Sequence, residues 1–157
     1  ALHTLEALAL PSLTHYAAFN HLTPAPSSAP TNGPTFANTS TPTLTHAQLL
    51  AYTLSPSTPP TYILTAESPL TINGPIYLTL IAQPDSNNQL RTLLLNITDA
   101  THLDRSPRLR PIDAVDSEAT GHADLLFELR SQTTRQFALY NLTDGHAQQI
   151  LLTTPIE

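Results

Sequence analysis

Four oxygen-bearing side chains crowd one short stretch: Asp116, Glu118, Thr120 and Asp124, with Gly121 among them. Oxygens at alternate positions of a tight loop, a glycine for the bend and a closing carboxylate suit a hard cation. Ca²⁺ in particular takes roughly six to eight oxygen ligands in flexible geometry. The segment around them, Arg110 to Arg130, reads RPIDAVDSEATGHADLLFELR, an apolar strand, an acidic turn and a second apolar strand.

Other chemistry is thinner. The chain has seven His, but His15 and His21 stand six apart, and no pair has the H-x₃-H or H-E-x-x-H spacing of a zinc site. It has no Cys, hence no disulfide, zinc-thiolate or thiol nucleophile. No G-x-S-x-G and no Gly-rich phosphate loop occurs, and a Ser-His-Asp set would have to assemble in space. Asn38, Asn96 and Asn141 each begin an N-x-[ST] sequon, a pattern that a chain rich in Asn, Ser and Thr also produces by composition. Asn96 and Asn141 are expected at the ends of corresponding strands. Arg105, Arg108 and Arg110 lie close to Asp104 and Asp113, which reads as a solvated connection with local ion pairs.

The charge balance excludes whole classes. Lys is absent, all six cations are Arg, and twelve carboxylates leave a net charge of −6. A nucleic-acid binder needs a basic footprint, and an anionic membrane surface also favours cations. No apolar run reaches the roughly 20 residues of a membrane span. The sequence contains no Met, so a signal peptide is expected to have been removed, which points to an extracellular or periplasmic protein.

These groups need elements to hold them. Residues 1–22 place Leu2, Leu5, Leu8 and Ala9 at helical spacing until Pro11 interrupts. Ser12 then suits the cap of a second turn with Leu13, Tyr16, Ala17 and Phe19. Two short helices over a sheet are the first expectation, an extended arm the alternative. Residues 23–42 hold many prolines among Thr and Ser and read as a tether, with O-linked sugar as a further option. Thr45-His46-Ala47-Gln48 has the form of a capping box, yet the following Pro-rich turn leaves little room for a helix, so a strand is expected. Strands then follow over 61–66, 76–82, 90–97, 109–115, 123–130, 135–142 and 148–152. Ile76, Leu78, Leu80 and Ala82 alternate with Tyr77, Thr79 and Ile81, the pattern of a half-buried strand. Asp144-Gly145 marks a hairpin.

The strand–turn–strand around the acidic loop has a partner earlier in the chain. Residues 114–127 lie on residues 51–64 with the same order of elements, and two more strands follow each copy. The expected fold is therefore mostly β, with two tandem four-stranded antiparallel units (46–98 and 108–153) like propeller blades. Two blades cannot close a ring, so they form a sandwich or a twisted sheet behind an N-terminal arm and linker (1–45).

The acidic turn resembles the DxDxDG-type calcium hairpin of FG-GAP and VCBS repeats, found in extracellular propeller-like and adhesive proteins. That resemblance implies side-chain oxygens from Asp116, Glu118, Thr120 and Asp124 and a backbone carbonyl from His122. This sequence departs from it where Glu118 and Thr120 replace Asp or Asn, and Glu is one methylene longer. The first copy offers Thr53, Ser55, Ser57 and Thr61, with no carboxylate, and is expected to be metal-free.

Three functions follow as expectations. The leading one is a secreted, non-enzymatic structural or binding β-domain, a subunit of an extracellular assembly that makes contacts through residues 1–22. The second is a calcium-dependent adhesion or carbohydrate-binding module. The third is a hydrolase with a spatially assembled site.

Overall fold

A dense alternation of apolar and polar residues from position 45 onward commits most of that region to strands. The computed structural model describes residues 2–20, 43–71, 74–143 and 145–157. Among them are the helix α1 (Leu2–Asn20) and the strands β1 (Thr45–Tyr52), β2 (Thr61–Thr71), β3 (Gly74–Pro84), β4 (Leu90–Asp99), β5 (Arg108–Val115), β6 (Asp124–Arg130), β7 (Arg135–Thr143) and β8 (His146–Leu152). The Pro-rich tether over 23–42 with its sequon at Asn38, and also His21, Asn73 and Asp144, lie outside the described residues.

The strands form two antiparallel sheets in simple up-and-down order, β1-β2-β3-β4 and β5-β6-β7-β8. The protein is mostly β, a sandwich of two tandem four-stranded units. Pro69 falls where the β2–β3 ladder breaks register, and Pro111 lies on an edge strand beside a bulge, the places where a missing N–H does least harm.

The two units share more than an order of strands. The pair Tyr52↔Thr61 closes the first hairpin, and Val115↔Asp124 closes its counterpart across a loop of equal length. In the first unit Ile81 pairs with Leu94 and Ala82 with Thr92, which leaves Leu93 as a bulge. In the second, Leu139 pairs with Leu151 and Tyr140 with Gln149, leaving Ile150. A side-chain bond repeats as well. Gln83 donates to Thr61 Oγ1 at 2.7 Å, and at the matching positions Asn141 donates to Asp124 Oδ1 at 2.8 Å. Asn96, by contrast, lies on β4 and Asn141 on β7, so the two sequons do not occupy corresponding strands.

These equivalences fix how the sheets stack. The face of the first sheet that carries Leu64, Ala66, Leu78, Leu80 and Ala82 packs on α1. The matching face of the second sheet, with Leu125, Phe127, Leu129, Ala138 and Tyr140, packs instead on the first sheet's other face, through Ile63 and Ile81. The sheets thus stack face to back, in the sense that consecutive blades do. Thr79 Oγ1 donates to the Leu109 carbonyl at 2.8 Å in the buried layer between them. Arg108 reaches Glu67 at 3.0 Å across the rim and lies over the Tyr77 ring, 4.2 Å from its centre.

Two further expectations are corrected. The N-terminal segment is one helix, not two short ones, with Pro11 and Ser12 inside it. Proline removes an N–H from the Ala7 carbonyl. The helix survives because Leu5, Ala9 and Leu13, spaced four apart on either side of Pro11, are fully buried, while the proline faces solvent. The Thr14 hydroxyl also donates back to the Leu10 carbonyl at 2.8 Å. Nor is β3 half-buried. From Leu78 to Ala82 every residue is buried, because α1 covers one face and the second sheet covers the other.

Candidate functional site

Asp99 ends β4 with its side chain turned inward, only 1% exposed. An ionised carboxylate at that depth requires several donors. It has them: Thr101 N–H at 2.8 Å, Thr101 Oγ1 at 2.7 Å, His102 N–H at 3.2 Å and His102 Nδ1 at 2.8 Å. The fifth comes from another element, Tyr16 Oη of α1 at 3.1 Å. Burial pushes the Asp99 pKa up, but the bonds from Thr101, His102 and Tyr16 outweigh it and hold the carboxyl below its ordinary range. The sequence D-x-x-H at the end of a strand is an Asx-type turn, and that local signal was available from the sequence.

An open groove lies beside this cluster, lined by Ser12, His15, Tyr16, His102, Arg105 and Ser106 among others. A carboxylate on Nδ1 of an imidazole with serines nearby is two parts of a hydrolytic triad. The third part is a serine hydroxyl within reach of the ring. Ser106 Oγ accepts from Asn96 Nδ2 at 3.3 Å, and its backbone N–H donates to the His102 carbonyl at 2.9 Å. Among the described residues no serine hydroxyl bonds to His102. The geometry assembles a turn and pins it to α1.

The acidic turn is also built on backbone donors. Asp116 accepts from Thr120 N–H at 3.0 Å and Gly121 N–H at 2.8 Å, and these bonds hold its carboxyl below the ordinary range. Gly121 sits at φ 79°, a left-handed conformation that favours glycine, and Ala119 is left-handed at φ 54°. Asp124 is buried and accepts from Ser117 Oγ at 3.2 Å and Asn141 Nδ2 at 2.8 Å. Glu118, Thr120 and His122 are exposed. Among the described residues no three His, Cys, Asp or Glu side chains come close enough together to hold a metal ion. The loop meets its counterpart directly, since Ala123 N–H donates to the Leu54 carbonyl at 2.7 Å. In the first copy Pro60 occupies the place of Ala123 and has no N–H to return that bond.

No described helix is long and apolar enough to cross a membrane. Neither a family model, nor a curated protein, nor a solved structure matches the chain.

Proposed function

We propose that the chain is a non-catalytic structural or binding β-domain that works as a subunit of an extracellular assembly. One observation carries the reading: both edge strands of the second sheet expose large apolar side chains, Ile112 and Val115 on β5 and Ile150, Leu151 and Leu152 on β8. On β8 three such residues follow one another, and a run of exposed large apolar side chains on an edge strand suits a protein contact. Residues 1–22 are the other candidate for the contact. With Leu5, Ala9 and Leu13 packed within the chain's own fold, the contact passes to the second sheet. The native protein, sized by gel filtration with light scattering from unfractionated source material, should run well above one chain mass. A native species of one chain mass only would contradict the reading.

The acidic turn serves the same architecture in this reading. Its carboxylates close the hairpin through N–H, hydroxyl and amide donors, with no need of calcium. Millimolar Ca²⁺ should therefore leave the melting temperature unchanged, and Asp116→Ala should lower it equally with Ca²⁺ or with chelator. A calcium-induced rise in Tm that Asp116→Ala and Asp124→Ala abolish would instead establish the calcium-dependent adhesion or carbohydrate-binding module.

A further inference from the structure

Within the first sheet, Leu50, Ile63, Ile81 and Leu94 form one row across all four strands, on the face that receives the second sheet. The matching row of the second sheet is Asp113, Leu126, Leu139 and Leu151. Strand alternation turns this row outward, since Leu125, Phe127, Ala138 and Tyr140 face the core. Among the described residues no element packs over it: Leu151 is 48% exposed and the bulged Ile150 beside it 50% exposed, while Leu126 and Leu139 in the middle of the row are half-buried within their own sheet. A surface that buries a sheet in one unit is therefore repeated, open, in the other.

We propose that this face pairs with the same face of a second copy of the chain, a partner assignment that rests on the assembly reading above. Two arguments select that occupant. First, the row repeats an interface that already exists inside the molecule, so an apolar sheet is what its shape accepts. Second, stacking face to back on another copy would need the equivalent of the surface with Leu64, Leu78 and Leu80, and there α1 is already seated. Among the described residues each copy thus offers one apolar row on an open sheet face, flanked by the Arg110–Glu128 and Asp124–Asn141 pairs, and two such rows pair isologously about a two-fold axis, the commonest oligomer symmetry. The result is a stack of four sheets with a helix at each end. Asp113 takes the place of Leu50 at the end of the row, on the edge strand β5, where its carboxylate stays in solvent. Beside the row, Glu128 is bonded to Arg130 at 3.2 Å and paired with Arg110 at 3.6 Å, so each copy brings that carboxylate already compensated.

The test is sedimentation equilibrium of the purified full chain from low micromolar to submillimolar concentration. Wild type should reach twice the mass of a single chain, and Leu151→Glu should weaken that association at least tenfold. Leu8→Glu, an exposed position on α1, should leave it unchanged. If Leu151→Glu does not fold by circular dichroism, Val115→Glu, exposed on the other edge strand, replaces it. A wild-type monomer throughout the range, or a dimer indifferent to these face substitutions, overturns the pairing. A purified monomer whose native form is larger overturns the self-pairing alone and leaves the assembly reading standing; a native form of one chain mass removes both.

Discussion

Phe127→Ala is expected to destabilise the fold by about 3–5 kcal/mol, the range for emptying a buried aromatic site. Phe127 is fully buried and lies at the centre of the layer shared by both sheets. Its ring meets Tyr140 edge to face, 5.5 Å between centres at 82°, a contact worth about 0.5–1.5 kcal/mol in such pairs. For a chain of this length the loss corresponds to a fall in Tm of roughly 6–20 °C. Calorimetry should show one transition moved down as a whole, because the residue serves both units at once. Two transitions, with only one of them shifted, would mean that the sheets fold as independent units and share no core.

The second large effect lies at Asp99. Asp99→Asn keeps the shape of the side chain but removes the charge and turns one acceptor into a donor. Hydrogen bonds to a charged group contribute about 1.5–3 kcal/mol, and the Thr101, His102 and Tyr16 donors all converge on this carboxylate. The native pKa lies below the unfolded value of about 3.9. Its contribution is therefore fully present above the unfolded pKa and is lost as pH falls through the native one. Urea midpoints should separate wild type from the variant widely at neutral pH and converge in acid. A gap that does not narrow at all as pH is taken below the unfolded carboxylate value would contradict the assignment.

The strands were legible because their alternation is local. Thr61, Ile63 and Thr65 against Tyr62, Leu64 and Ala66 need no knowledge of what covers them. The burial of β3 escapes the sequence for the same reason. Tyr77, Thr79 and Ile81 look like a polar-outward face, and only the neighbouring sheet reveals that Thr79 is satisfied by the Leu109 carbonyl and Ile81 is core. Pro11 predicted a break that tertiary packing of Leu5, Ala9 and Leu13 overrides. The order of the repeat could be read, but its deeper equivalence could not. Thr61 with Gln83 and Asp124 with Asn141 share no residue type, though they make the same bond. The Asp99 cluster joins residues 83 positions apart through Tyr16, a contact that no spacing rule reaches.

The second sheet turns Phe127 towards the first sheet and leaves the Leu126–Leu139–Leu151 row outside. Methyl-selective nuclear Overhauser measurements on the full chain test it directly. Contacts are predicted from the Phe127 ring to the methyls of Ile63 or Ile81, and none from Leu126 or Leu139 to any methyl of the first sheet. Contacts from Leu126 or Leu139 to Ile63 or Ile81 would reverse the sheet, and with it the face-to-back stack and the free surface that it leaves.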